Sequence, residues 1–391
     1  MVWGFILARK STILINASNL HCGGGVQVAS SFIYELSLLH DLPENITCLV
    51  SSEVAKNLHQ VGCDISKFFV YEIYDTFGVS SLWSGFLKKL KNFDVIFTVF
   101  GPLYVVGLKA INIVGFAQPW IIYPDNELYR EMSSYERFKI RLKFQIQSVF
   151  FRKADVVVVE LEHVKKRLTA LGIYPEDSIK VVNNCLSSLY MQPEKWLHVK
   201  VDIIDNSFSI GFVGRDYPHK NTDLLPEVKQ ILLNKYGLEV NFYVTLNDFE
   251  WASKSDSFRR LIFNTGSLTV AQCPYFYEKM DAIIFPSLLE CFSATPLEAM
   301  AMKKPLFASD RGFVRDVCGD YAMYFDPMNA ESAAEIIAEY IKNRSPTDEH
   351  TRLIAARDHV IGYSNAHQRA VEYLRIALEA NLQRNQNGVS F

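Results

Sequence analysis

The sequence has no C-x-x-C pair, no D-x-D and no histidines spaced as H-x-x-x-H, and none of its apolar runs is long enough to cross a bilayer unbroken. Its seven cysteines (Cys22, Cys48, Cys63, Cys185, Cys273, Cys291 and Cys318) are odd in number and widely spaced. That pattern argues against a disulfide framework or a zinc site and for reduced thiols packed as small hydrophobes in a cytosolic protein. Without D-x-D or paired histidines there is no motif for a divalent metal. The longest apolar region, residues 95–123, is broken by Gly101, Pro102 and Lys109, so two buried strands joined by a loop are expected in place of a membrane span. The opening MVWGFILARKS has no basic stretch ahead of its apolar residues and no small-residue cleavage site, so no secretory leader is expected. A net charge of −3 without a basic stripe argues against a nucleic-acid partner.

What is there is a chain of 391 residues, 49% hydrophobic and 21% charged. It is too long for one ordinary domain and long enough to bury large cores. Short runs rich in Val, Ile and Phe alternate with longer stretches of helical period, the pattern of βαβ units and a parallel sheet. Strands are predicted near 12–17, 46–51, 68–73, 94–100, 111–117, 154–159 and 179–183. After the polar stretch VDIIDNS the pattern restarts, with strands near 208–214, 239–245, 261–265, 282–286, 305–308 and 321–325. The expected fold class is α/β, with two doubly wound Rossmann-like domains over 1–203 and 204–364. Residues 365–391 are expected to add a long helix packing back toward the first domain, then the polar tail QRNQNGVSF. Ligands of open parallel sheets bind beyond the carboxyl ends of the strands, so the site is expected in the cleft between the domains.

Three stretches carry candidate chemistry. In SNLHCGGGVQVASSF, Gly23, Gly24 and Gly25 precede a helix with apolar Val26, Ala29, Phe32, Ile33 and Leu36. Such a turn is either simply tight or a cradle in which backbone amides approach an anion. A dinucleotide fingerprint would need a third Gly or Ala where Val28 stands, although Glu53 follows the second strand as a ribose-binding acid would. In FVGRDYPHKN, Arg215 and Lys220 fall at a strand-to-helix junction, where they are either solvated charges or a cationic seat for an anion. In LLECFSATPLEAM, Glu290 and Glu298 stand eight positions apart. Thr295, Pro296 and Glu298 read as a capping box, which explains one glutamate only. Glu290 follows the strand DAIIFPS in a loop at its carboxyl end, where a carboxylate can accept from sugar hydroxyls and contributes little to a core. The amides of Phe292, Ser293 and Ala294 at the following helix start can hold a pyrophosphate.

PSLLECFSATPLEAMAMKKP, GFVGRDYPHKN and the glycine-rich loop together resemble the retaining glycosyltransferases of family 4 (glycosyl transferases group 1). The first matches that family's P-S-x-x-E-x-F-x-x-x-x-x-E-A-M-A-x-x-x-P, and ADVVVVELEHVKKRL, VVNN and YFDPMN are weaker echoes in the same order. The resemblance implies the GT-B fold of two facing Rossmann-like domains with the active site in the interdomain cleft, and a nucleotide diphosphate sugar as donor. It implies that Glu290 binds hydroxyls of the donor sugar and that Glu298 binds the nucleotide's ribose. Arg215 and Lys220 would neutralise the leaving diphosphate, with Phe292, Ser293, Ala294, Gly24 and Gly25 near the donor phosphates. No metal and no other cofactor is implied, and no covalent carboxylate nucleophile. Many members carry a His after the strand corresponding to INIVGFA, whereas here Gln118, Pro119 and Trp120 follow it and no His occurs between His59 and His163. No catalytic base is therefore transferred, and Gln118 either orients a sugar hydroxyl or is an ordinary loop residue. CFSATP replaces the usual E-G-F-G glycines, so Cys291 and Ser293 add bulk near the phosphates.

Residues 137–153, RFKIRLKFQIQSVFFRK, hold six basic residues and no acid. As a helix they show two apolar faces, Phe138, Leu142, Ile146 and Val149 on one and Ile140, Phe144 and Phe151 on the other; the first eight residues also alternate as a strand would. One face could pack inward and the other touch anionic lipid, with SGFLKKLKNF, 84–93, as a second basic-apolar patch; a helix buried on both faces is the alternative. The resulting expectation is a cytoplasmic, membrane-peripheral, metal-independent retaining transferase acting on a growing, lipid-linked glycan of a bacterial surface polysaccharide such as O-antigen. A nucleotide-sugar 2-epimerase of the same architecture and a non-catalytic sugar-nucleotide-binding module are the rivals. A dehydrogenase ranks below both.

Overall fold

The computed structural model describes residues 12–82, 85–204 and 207–387; the opening MVWGFILARKS and residues 388–391 lie outside it. Parallel strands β1 (Ile13–Ala17), β2 (Ile46–Val50), β3 (Val70–Ile73), β4 (Val95–Thr98), β5 (Ile111–Gly115), β6 (Val156–Val159) and β7 (Ile179–Val181) form one sheet in the order β3-β2-β1-β4-β5-β6-β7. Strands β8 (Phe208–Phe212), β9 (Val240–Val244), β10 (Phe263–Asn264), β11 (Ala282–Phe285), β12 (Leu306–Ser309) and β13 (Met323–Phe325) form a second parallel sheet, β10-β9-β8-β11-β12-β13. β1, β2, β5, β9 and β11 are buried along their whole length. Strands covered on both faces need such continuous apolar runs, which is why they read clearly in the sequence. Residues 95–123 contain β4 and β5. Among the described residues no helix is long and apolar enough to cross a membrane.

Two compact units result. One takes the chain through Pro124, then Ser133–Asn184 and the chain from Ala366; the other takes Asp125–Met132 and Cys185–Asn365. The expected boundary at 203 thus lies earlier, because the segment after Asn184 is tied to the second sheet. Leu197 N–H donates to Ala271 O (2.8 Å), Ile204 N–H to the Tyr243 hydroxyl (3.1 Å), and the Tyr190 ring meets Tyr277 edge-on at 6.0 Å. Asp125–Met132 goes with the second unit, where Arg311 donates to the Glu127 carboxylate at 2.6 Å.

In the first unit the helix Gly24–Ser37 buries Ala29, Phe32, Ile33 and Leu36 against the sheet. The helix Ala366–Asn387 completes the same core with Ala370, Tyr373, Leu374 and Ala377, and the Tyr373 ring lies 5.1 Å from Phe32 and 5.2 Å from Phe97. The first five residues of the expected polar tail are the end of this helix. Its Arg369 reaches a buried network: Arg369 donates to Asn184 Oδ1 and to the Ser31 hydroxyl, and Asn184 donates to Glu160 Oε1 at 2.7 Å. Burial pushes the Glu160 carboxyl up to about 7, against the opposing pull of Arg369 and Asn184.

Residues 137–151 fall in the helix Ser134–Phe151, with Arg152 at its C-cap, so the alternating, strand-like reading of the start of 137–153 is wrong. Ser133 and Glu136 close a capping box at its N-terminus, Glu136 N–H to Ser133 Oγ at 3.3 Å and Ser133 N–H to Glu136 Oε2 at 3.0 Å. That local bonding favours a helix over any edge-strand pairing. One apolar face packs inward, Phe144 stacked on Trp120 at 5.7 Å and Phe151 against Phe116 at 4.8 Å. The other is exposed. The expected patch at 84–93 is corrected: Phe86 and Leu90 are fully buried with Leu14 and Ile96, and Leu87 and Phe93 pack on the same cluster. Lys89 instead pairs with Glu72 at 2.5 Å and lies over the Tyr74 ring; Ser84 lies outside the described residues.

Candidate functional site

In the second sheet β8 pairs with both β9 and β11, so the order of strands reverses there. Connections leaving a switch point diverge to opposite faces and open a crevice at the carboxyl ends of its strands. The loops that leave β8 and β11 carry the candidate residues. After β8, Pro218–Lys220 form a 3-10 turn with Pro in its first turn. The turn ends on Asn221 in the left-handed region (φ 56°), a conformation Asn tolerates, with its side chain donating to Pro327 O at 2.8 Å. Leu288 N–H, from the loop after β11, donates to His219 O at 2.7 Å and stitches the two loops together.

As a result Lys220 Nζ stands 2.6 Å from Glu290 Oε1, and His219 Nε2 3.7 Å from the same oxygen. The Lys220 and Glu290 side chains are only 13% and 12% exposed. Phe285, at the end of β11, underlies the ammonium at 5.4 Å from its ring centroid. Burial lowers the His219 pKa from its ordinary 6.5; Glu290 opposes this and Lys220 reinforces it. The imidazole is therefore neutral at pH 7, one nitrogen a donor and the other an acceptor.

The loop after β8 is pinned from behind by Lys254. Its Nζ lies 2.8 Å from the Asp216 and Asp223 carboxylates and donates to the Thr222 hydroxyl at 2.8 Å, while Thr222 donates to Asp216 at 2.5 Å. Asp216 and Thr222 bracket His219 and Lys220, so one buried ammonium fixes both ends of the turn that presents them.

Arg215 is not brought onto Glu290. Its Nε donates to Glu250 Oε1 at 2.6 Å, and Asp216 N–H reaches the same oxygen at 3.2 Å. Glu250 also closes a capping box with Asn247 on the helix Asp248–Ser253. Burial works to raise its pKa, but the hydrogen bonds from Arg215, Asn247 and Asp216 outweigh it and hold the carboxyl below its ordinary 4.5.

Glu298 is not a capping residue, which corrects the box read from Thr295, Pro296 and Glu298. The helix runs Thr295–Ala301, and its cap position is Ala294, already helical in backbone and without a side-chain acceptor. An N-cap side chain must leave an extended backbone to reach the free amides; Thr295 lies inside the helix and donates to Val213 O at 3.4 Å. Glu298 is thereby released to accept from the Tyr277 hydroxyl at 2.7 Å. Burial raises its pKa above 4.5, against the pull of the Tyr277 and Tyr190 hydroxyls and of the Lys220 charge. Lys220 thus acts electrostatically on both glutamates. Phe292, Ser293 and Ala294 are half-buried at the start of this helix.

Gly24, Gly25 and Gln118 lie in the other unit. Gly23, at φ 72°, precedes the helix Gly24–Ser37; a Cβ at Gly24 would meet nothing within 4 Å, whereas one at Gly25 would stand 3.2 Å from Leu20. Gly24 therefore faces open space and Gly25 permits close packing. Gln118 stands, half-buried, at the N-cap position of the four-residue helix Pro119–Ile122 beyond β5, without a side-chain capping hydrogen bond.

The sequence pattern described as Glycosyl transferases group 1 matches residues 195–358, which include Arg215, Lys220, Glu290 and Glu298. The chain carries a glycosyl transferases group 1 domain. The O-antigen chain mannosyltransferase RfbU of Salmonella typhimurium is 26% identical over 200 residues, 48% of this chain and 53% of that protein, so the match spans about half the length of this curated relative. Among solved structures, a glycosyltransferase from Rickettsia africae ESF-5 superposes with a TM-score of 0.65 at 17% identity, covering 96% of this chain and 99% of that one. Anabaena Alr3699/HepE, solved with UDP and glucose, gives 0.59 at 15% identity, covering 97% and 100%. At such identities the likeness is one of fold: α/β, two parallel-sheet Rossmann-like domains of the GT-B type. Within the group 1 domain, His219, Lys254 and Tyr277 were missed as site residues. His219 stood beside Lys220 in a stretch already singled out. Lys254 and Tyr277 carried no signal, because only the fold brings them to the two loops.

Proposed function

We propose that this protein is a retaining glycosyltransferase of family 4 type that moves a sugar from a nucleotide diphosphate donor, without a metal, to a growing lipid-linked glycan of the bacterial surface, on the cytoplasmic side of the membrane. The observation that carries the reading is the Lys220–Glu290 pair at the β8/β11 switch point of the group 1 domain. Lys220, with Arg215, supplies positive charge where the leaving diphosphate accumulates negative charge. A cation already held in place by Glu290 stabilises that charge without reorganising. A carboxylate has about four acceptor sites, so Glu290 keeps capacity for sugar hydroxyls while it pairs with Lys220. Glu298 accepts from the ribose, sharing its carboxylate with Tyr277. The amides of Phe292, Ser293 and Ala294, together with Gly24 and Gly25, serve the donor phosphates, and Gln118 orients a sugar or acceptor hydroxyl. Retention follows if the acceptor hydroxyl attacks an oxocarbenium-like sugar from the face the diphosphate leaves. RfbU, named for O-antigen mannosyl transfer, and HepE, solved with UDP and glucose, support this choice of substrates.

A thermal-shift panel of UDP, GDP, dTDP and CMP with their common sugars, run with EDTA and with magnesium, tests the reading. One nucleotide diphosphate should stabilise the protein in EDTA as well as in magnesium, and the matching sugar should be transferred with its anomeric configuration kept, as read by NMR of the product. Conversion of a lone nucleotide sugar to its epimer would replace the transferase with an isomerase. Binding without turnover on any acceptor would favour a binding module.

A further inference from the structure

The helix Ser134–Phe151 leaves Tyr135, Phe138, Leu142, Ile146 and Val149 exposed, from 40% at Ile146 to 70% at Tyr135. Steps of three and four residues keep these side chains on one stripe, about 21 Å long at 1.5 Å per residue. Lys139 and Lys143 flank the stripe on one side and Arg141 on the other, and the helix's one acid, Glu136, is held by Ser133 in the capping box. A second exposed apolar group lies beside the last turn of this helix. Phe77, Val79 and Leu82 project from the turn around Gly78–Leu82, Phe77 64% exposed. Ser81 Oγ of that turn donates to Tyr104 O at 3.3 Å, and the Tyr104 ring packs on Phe150 at 4.9 Å. Tyr104 therefore links the turn that carries these residues, where Phe77 also stacks on His21, to the last turn of the helix.

We infer that this surface docks the protein on an anionic lipid bilayer, the helix lying in the interface with its stripe in the acyl boundary and Phe77, Val79 and Leu82 inserting beside it. The inference rests on the proposed function only in that a lipid-linked acceptor gives such docking a use. A second copy of this chain is a poor occupant, because two such helices would oppose Lys139, Arg141 and Lys143 to the same cations with no free acid between them. An acidic protein partner would need a groove matched to both segments, whereas a bilayer accepts any apolar stripe rimmed by cations. Negative headgroups supply the counter-charge.

The test is co-sedimentation of the full chain with vesicles of phosphatidylcholine alone and of phosphatidylcholine with about one-third phosphatidylglycerol, with no donor or acceptor present. Loss of transferase activity elsewhere would therefore not be mistaken for failure of docking. The expected result is binding to the anionic vesicles, at least tenfold weaker on the neutral ones and severalfold weaker in half-molar salt. Phe138→Asp with Ile146→Asp should reduce it tenfold or more, and Phe77→Ser severalfold, with thermal melting unchanged. Lys139→Gln with Lys143→Gln should erase the preference for anionic lipid. Equal binding by wild type and the stripe variant, or no binding to anionic vesicles, overturns the inference. So does a wild-type dimer that the stripe variant converts to monomer, which would make a second copy the occupant, or capture of an acidic protein that the stripe variant loses while vesicle binding is absent.

Discussion

Glu290→Gln keeps the shape of the side chain and removes the counter-charge of Lys220. Both side chains are about one-eighth exposed and their charged atoms are 2.6 Å apart. Removing one partner of a buried pair costs about 3–5 kcal/mol, and the water that still reaches this ammonium brings the expected loss down to about 2–3 kcal/mol. The view of Glu290 as a loop carboxylate of little structural weight is thereby revised. Lys220→Met should strand the carboxylate at similar cost. The double variant strands no charge, so a coupling of about 1.5–2.5 kcal/mol should separate it from the sum of the single changes. Activity should behave otherwise. Losing a cation aimed at developing charge costs about 10²–10³ in kcat, and the double variant has no means to restore it. Urea unfolding followed by far-UV circular dichroism reads the first quantity, and single-turnover transfer from the donor found in the nucleotide panel reads the second. If the single losses add in the double variant to within about 0.5 kcal/mol, the two groups are not coupled and the argument for a pre-set cation fails.

Binding of ribose hydroxyls to Glu298 favours its ionised form, so the carboxyl pKa that burial raises above 4.5 should fall on nucleotide binding, with release of protons. Calorimetry in two buffers of different ionisation enthalpy detects that release, and Glu298→Gln should abolish it while leaving the helix Thr295–Ala301 intact. Glu160, whose pKa stands at about 7 in the fold against an ordinary 4.5, keeps a proton that the unfolded chain gives up between those values. Its contribution to stability is full below 4.5 and lost as pH rises through about 7, at most about 3 kcal/mol. Melting temperature followed from pH 5 to pH 8 should therefore fall less in Glu160→Gln than in wild type, and parallel curves would remove Glu160 from the account. Lys254→Met should lower kcat at least tenfold with nucleotide affinity changed less, because it frees the turn that carries His219 and Lys220. An unchanged kcat in a folded variant would show that the turn holds its own shape.

The central strands were legible because they are short, largely apolar runs buried along their length, and their parallel pairing follows from their alternation with helical stretches. The two loops were legible too, since the stretches that carry Lys220 and Glu290 follow the first and fourth predicted strands of the second domain; that the strand order reverses between β9 and β11 is seen only in the sheet. What escaped was set by long-range contact. Thr295, Pro296 and Glu298 satisfy a capping box locally, yet Tyr277 takes the carboxylate and Val213 takes the hydroxyl. Arg215 looked like a partner of Lys220, but Glu250 lies thirty-five positions away in the sequence and at 2.6 Å in the fold. The helix at 137–153 showed two equivalent apolar faces, and only the packing of Trp120 and Phe116 chose between them.

The helix Ala366–Asn387 closes the core that Gly24–Ser37 begins, and everything from Cys185 to Asn365 is made between them. At about 5–20 residues per second of synthesis, roughly ten to forty seconds separate Asn184 from Ala366. Throughout that interval the second unit can complete its own sheet, whereas Phe32 and Phe97 wait without Tyr373 to cover them. The unit whose synthesis starts first is thus the one that finishes folding last, and its open apolar face on the ribosome is where a chaperone has most to hold.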